Sequence, residues 1–137
     1  MKRYVFDACA LIAFINDEEG ASLVEQLLVE ASFRRCSISI NKFNLLEVYY
    51  GYLREKGETF AENILNIVEN SDIQVCDVLS DELLRSASNF KISYKISLAD
   101  AMALAQAYVE NALLVTADHH EMDVVEKESK VDFCWIR

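Results

Sequence analysis

The sequence predicts an α/β fold: a parallel sheet of about five strands, covered by helices on both faces. Three observations carry that expectation. Short apolar runs recur at strand length. Longer stretches between them repeat apolar residues with helical period. The two kinds alternate, an order that calls for parallel strands joined by short, right-handed helical crossovers.

Residues 3–6 form the first strand and residues 8–15 a short apolar helix. Lys2-Arg3 before an apolar run imitates the start of a signal peptide. Asp7 interrupts that run, however, and Asn16-Asp17-Glu18-Glu19 follows it without a small-residue cleavage pattern. The run is also too short to span a bilayer, so it reads as core. After a polar break at 16–20, residues 21–31 set Leu23, Leu27, Leu28 and Ala31 on one helix face. Residues 36–40 alternate with period two and make the second strand.

The next helix covers 42–54, with Phe43, Leu46, Tyr50 and Leu53 on one side. Either Asn41 or Asn44 can cap it, and Asn44 with Glu47 has the spacing of a capping box. Lys56-Gly57 ends it, and a helix over 59–69 turns Phe60, Ile64, Ile67 and Val68 inward. Residues 73–76 are the third strand. Ser80 caps a helix reaching about residue 90, and 91–96 is a basic, irregular connection. Ser97 caps a very apolar helix over 98–109, and 113–116 is the fourth strand. One helical turn or more lies around 122–126, and 132–136 is the last strand. The first and fourth strands are expected to flank the point where the strand order reverses.

The 137 residues read as one domain, large enough for a core without disulfides. There is no proline and there are only three glycines, which leaves no long linker. A net charge of −10 argues against gripping nucleic acid through a broad basic surface. Such a partner would need a local basic rim, or metal ions at an acidic site; a basic protein partner is an equal inference. Cys9, Cys36, Cys76 and Cys134 show no paired ligand spacing, and three of them fall in strands. That pattern suits reduced cysteines and a cytoplasmic location.

Four acids fall at strand ends or in the helices that follow: Asp7, Glu47, Asp100 and Asp118. Three have local roles that need no ligand. Ser97 with Asp100 and Asn44 with Glu47 can form capping boxes, and Asp118 can be a turn residue. Asp7 stands apart, because no cap or turn there asks for an acid. Brought together, four carboxylates repel, and a divalent cation relieves the repulsion. Oxygen-only ligands suit Mg²⁺ or Mn²⁺. Such an ion can activate water and stabilise charge on a phosphoryl group. Thr116 could add a hydroxyl contact.

Four stretches in order resemble the PIN-domain family, and especially its short VapC-like toxin ribonucleases. They are Val5-Phe6-Asp7-Ala8-Cys9-Ala10-Leu11-Ile12, Asn44-Leu45-Leu46-Glu47-Val48-Tyr49-Tyr50-Gly51-Tyr52, Ser97-Leu98-Ala99-Asp100-Ala101 and Leu114-Val115-Thr116-Ala117-Asp118. The resemblance implies a three-layer α/β/α fold and a cluster of Asp7, Glu47, Asp100 and Asp118 binding Mg²⁺ or Mn²⁺. It also implies cleavage of single-stranded RNA, a small antitoxin as partner, and a tendency to form homodimers. Asp123 is the alternative fourth acid. Cys9 departs from the serine, threonine or asparagine more often found in the family at that position.

Other residues have plainer readings. His119 and His120 read as a solvated pair, with metal binding as the alternative, and Trp135 reads as core. Tyr49, Tyr50 and Tyr52 suit packing or a dimer face, with base stacking as the alternative. Lys91 and Lys95 form either an ordinary basic loop or a guide for phosphate toward Asp100. Two other functions compete with RNA cleavage. A PIN-like module without catalysis would use an acidic face for a basic partner. An aspartate-based phosphotransfer domain would usually show D-x-D or an acid pair after the first strand, where this chain has Asp7-Ala8-Cys9.

Overall fold

The computed structural model describes residues 1–128 and 130–137. Its centre is a five-stranded parallel sheet in the order β3-β2-β1-β4-β5. The strands are β1 (Lys2–Phe6), β2 (Cys36–Asn41), β3 (Ile73–Cys76), β4 (Leu113–Thr116) and β5 (Asp132–Trp135). Helices α1 (Ala8–Ile15), α2 (Ala21–Ser32), α3 (Lys42–Lys56) and α4 (Glu58–Glu69) carry the chain outward from β1 to β3. Helices α5 (Asp81–Ser93), α6 (Leu98–Glu110) and α7 (His119–Lys127) bring it back through β4 to β5. The strand order therefore reverses between β1 and β4.

Two apolar clusters fill the space on either side of the sheet. Phe6, Ile38, Ile40 and Val115 pack with residues of α1 to α4, while Val5 and Leu114 pack with residues of α5, α6 and α7. Successive strand residues point to opposite faces, so one strand feeds both cores. This is the three-layer α/β/α arrangement the sequence predicts. Helix α6 lies close because its buried face is largely alanine: Ala101, Ala103, Ala105 and Ala107 are each at most 1% exposed. Within it, buried Gln106 donates to Ser39 Oγ at 2.9 Å, tying α6 to β2.

Several local expectations are settled or corrected. Asn41 is the cap of α3, accepting from the Phe43 N–H at 2.9 Å. Asn44 caps nothing; it is buried within the helix. The side of α3 bearing Phe43, Leu46, Tyr50 and Leu53 faces solvent, and the buried side is Asn44, Leu45, Val48 and Tyr52. A helix can present an apolar stripe outward when a second stripe meets the core, and periodicity alone cannot choose between them. Ile67 is likewise exposed on α4. Helix α5 continues to Ser93, through half of the stretch expected to be irregular, and α7 begins at His119 directly after Asp118. The four cysteines are free, with Cys36, Cys76 and Cys134 in strands as expected. Among the described residues, no helix is long and apolar enough to cross a membrane.

Candidate active site

In open parallel sheets, ligands collect at the carboxyl ends of the strands where the strand order reverses. Here that position lies between β1 and β4. Asp7 follows β1, and its N–H donates to the Val115 carbonyl at 3.3 Å, locking it to the β4 edge. Asp118 stands two residues beyond β4. Its N–H donates to Thr116 Oγ1 at 3.0 Å, and its Oδ1 accepts from the Glu121 N–H at 3.2 Å. Asp118 is thus the N-cap of α7.

Asp7 corrects the expectation that no cap role asks for an acid there. It is the N-cap of α1, its Oδ1 accepting from the Ala10 N–H at 2.9 Å. A cap needs only one acceptor, and asparagine or serine would serve as well. The second oxygen is what capping leaves unexplained. Asp7 is 1% exposed, and its Oδ2 is buried without a hydrogen-bond partner among the described residues. Burial pushes its pKa up to about 7. The nearby Thr116 hydroxyl and the Ala10 amide pull it down, although no well-formed hydrogen bond from Thr116 reaches Oδ2; the charges of Asp100 and Asp118 push it further up.

Asp100 sits in the first turn of α6, where Ser97 Oγ accepts its N–H at 3.1 Å. Burial and then the Asp118 charge raise its pKa to about 6, with Glu47 and Glu121 adding to the rise. Glu47, in the second turn of α3, is raised by burial and by Asp118. Cys9, in the first turn of α1, registers the whole group. Burial, followed by Asp7, Asp118, Asp100 and Glu47, pushes its thiol up to about 12, so it stands protonated beside the acids. The fold thus brings Asp7 and Glu47 each within electrostatic reach of Asp100 and Asp118, from four separate helices.

Asp123 is directed elsewhere: it faces His119 Nδ1 at 2.8 Å. That pair, together with a backbone contact to Arg137, raises the His119 pKa. His119 is therefore not a merely solvated neighbour of His120, whose side chain is 93% exposed. Lys91 donates to the Ile96 carbonyl at 2.6 Å, closing its own loop. Tyr52 is buried with its hydroxyl on Asn16 Oδ1 at 2.7 Å, which leaves Tyr50 as the exposed tyrosine of the trio.

Asn44 has a structural role beside the acids that its cap-like spacing to Glu47 conceals. It is fully buried, and its Nδ2 donates to the Ala99 carbonyl at 3.1 Å. That bond ties the helix carrying Glu47 to the start of the helix carrying Asp100. An asparagine at a buried helix position, where its amide needs partners, is the sequence signal that could have found it.

The donor set suits a hard divalent cation: four carboxylates, one with an orphaned buried oxygen, and a hydroxyl nearby. Among the described residues, no three His, Cys, Asp or Glu side chains converge tightly enough to hold an ion as they stand. Mg²⁺ does not require such a cage, since it keeps several waters and commonly uses one or two carboxylates. The residues present fit such an ion in chemistry and charge.

Comparison with known proteins follows the same line. The PIN domain model matches residues 4–128. No match is found among curated protein sequences. Among solved structures, the fold is similar to VapBC2 of Rickettsia felis bound to a DNA fragment from its promoter. The TM-score is 0.74 at 17% identity, covering 97% of this chain and 98% of the other. It is similar to DNA-bound VapBC of Salmonella typhimurium, with TM-score 0.71 and 16% identity over 100% of both chains. It also resembles VapC20 of Mycobacterium tuberculosis, a toxin that cleaves the sarcin-ricin loop. There the TM-score is 0.62 and the identity 13%, over 82% of this chain and 86% of the other.

Proposed function

This chain belongs to the PIN-domain family, and from that premise we propose that it is a metal-dependent endoribonuclease acting on single-stranded RNA, the toxin of a toxin–antitoxin pair. One observation carries the reading. A buried carboxylate, Asp7, stands at the switch point with one oxygen unpartnered among the described residues, and the charges of Asp100 and Asp118 raise the cost of its own. A protein maintains such a group at the expense of stability, and the strain is relieved when a cation arrives.

Asp7 and Asp100 would hold the ion, which supplies activation of water and neutralisation of charge at the phosphodiester. Glu47 and Asp118 complete the acidic rim or orient the attacking water. Cys9 contributes no nucleophile, since its thiol stays protonated. Water is the attacking group on this proposal, in line, without a covalent enzyme intermediate. The Thr116 hydroxyl, accepting from the Asp118 N–H, and the Ala10 N–H, donating to Asp7 Oδ1, hold the two acids in place. The VapBC assemblies that share the fold support a small antitoxin as partner. The exposed stripe of Phe43, Leu46, Tyr50 and Leu53 offers apolar surface for a protein partner, including a second copy of the chain.

Cleavage of single-stranded RNA by the purified protein in Mg²⁺ or Mn²⁺ is the test. Asp7→Asn and Asp100→Asn should each reduce the rate by about 100-fold or more, because even the neighbours of metal ligands are worth about 10–100-fold. Full cleavage by both variants would remove the proposal. A second reading is favoured by the lack of three converging ligands among the described residues: a non-catalytic PIN-like module whose acidic face binds a basic partner. Calorimetric titration with Mn²⁺ separates the two, as only the nuclease reading expects saturable binding lost in Asp7→Asn.

A further inference from the structure

At the carboxyl edge of β5 stands a group of rings that RNA cleavage by carboxylates does not use. The Phe133 and Trp135 rings stack with centroids 5.2 Å apart and planes 10° apart. The His119 imidazole lies over Trp135 at 3.8 Å, again 10° from parallel. Phe133 precedes Trp135 along β5, while His119 reaches forward to the main-chain oxygen of Arg137 at 2.8 Å. Trp135 is therefore the middle ring of three and the imidazole is the outer one.

The imidazole is held at both nitrogens, by Asp123 at 2.8 Å and by Arg137 at 2.8 Å. The indole N–H donates to Glu126 at 2.8 Å. These bonds fix the plane of the stack without burying it: the His119 side chain is 49% exposed. Phe133 and Trp135 pack on one side against the core beneath α5 to α7, and Trp135 is only half-buried there, at the sheet edge. His119 opens α7 directly after Asp118, so the rings stand at the same carboxyl end of the sheet as the acids.

We propose that His119, backed by Trp135 and Phe133, is a stacking platform for one unpaired base of the RNA strand beside the carboxylates. The proposal rests on the nuclease reading for its ligand. Charge supplies the physical reason. At a net charge of −10 the protein has little of the phosphate grip that ordinarily dominates nucleic-acid affinity. Stacking on an aromatic face provides affinity that does not depend on phosphate, and it tolerates any base. An unpaired base is required, because only a base free of its stack can lie on a ring. The platform thus selects single strands and sets where the phosphate lies relative to Asp118.

Trp135 is the only tryptophan of the chain, so its emission reports on the stack directly. The full chain carrying Asp7→Asn, which prevents cleavage, is titrated in Mg²⁺ with octaadenylate and with an abasic octamer of the same backbone. Octaadenylate should quench the emission and bind roughly tenfold tighter or more than the abasic octamer. Adding His119→Ala should bring the two octamers to equal affinity, and His119→Phe should restore the difference. Equal binding of the two octamers by the Asp7→Asn chain, or base-dependent binding unchanged by His119→Ala, would overturn the platform. Cleavage by the unmodified chain is scored separately. If RNA is cut while His119→Ala changes nothing, the platform alone fails. If RNA is never cut but quenching depends on the bases, the nuclease reading fails and the platform stands.

Discussion

Asp7 concentrates the chemistry of this protein in one side chain. One oxygen caps α1 and the other is buried without a partner among the described residues. The two oxygens respond differently to substitution. Asparagine retains the cap, being as good an N-cap as aspartate, and removes the ionisable group. In chelator at about pH 8, Asp7→Asn should therefore be more stable than the parent by about 1–3 kcal/mol. Urea unfolding measures this, and the same variant should be inactive. A stability gain paired with a loss of cleavage marks a functional group; a loss of both would make Asp7 merely structural. Asn44 should behave in the opposite way. Asn44→Ala breaks the bond to the Ala99 carbonyl and should cost about 1–3 kcal/mol, with a fall in kcat as Glu47 and Asp100 lose their fixed separation.

Elements meet in ways that side-chain pattern leaves open, and α3 is the clearest case. Its exposed stripe of Phe43, Leu46, Tyr50 and Leu53 is as regular as its buried one. Leu46→Ser should therefore change the melting free energy of the isolated chain by less than about 0.5 kcal/mol, where a core leucine would cost several. At the start of α2, Gly20 has φ of 99°, and an added Cβ would meet the Ile136 carbonyl oxygen at 2.7 Å. Arg137 donates to Glu18 and to the Glu19 carbonyl beside it. The α1–α2 connection is thereby pinned to the end of β5. Gly20→Ala should destabilise by about 1–3 kcal/mol in thermal melts, through left-handed backbone and steric conflict together.

For the whole molecule, the acidic site ties stability to pH. Asp7 is pushed from 3.8 to about 7 and Asp100 from 3.8 to about 6. A raised carboxyl means that the folded chain binds more protons than the unfolded chain between those values. Stability contributed by these groups is thus present at acid pH and falls as pH rises from about 4 to about 7. Melting of the cation-free protein should show that fall, and Mn²⁺ should raise the melting temperature more at about pH 8 than at about pH 5. Cleavage should run the other way. It needs ionised carboxylates, so initial rates should climb through about pH 6 to 7 and then level.

The alternation of short apolar runs with helical stretches was enough to specify a parallel sheet with helices on both faces, because those periodicities are local. The same reading placed Asp7, Asp100 and Asp118 at element boundaries, where a carboxylate can leave the core. Other properties became visible only in three dimensions. Asn44 and Glu47 have the spacing of a cap, yet the cap is Asn41 and the Asn44 amide reaches across to α6. Trp135 packs against the core as its sequence suggests, but only the folded chain shows His119 stacked on it. Spacing along the chain records how one element repeats. Which face is buried, and which distant charges share a dielectric, depends on how elements pack, and only the tertiary structure determines that.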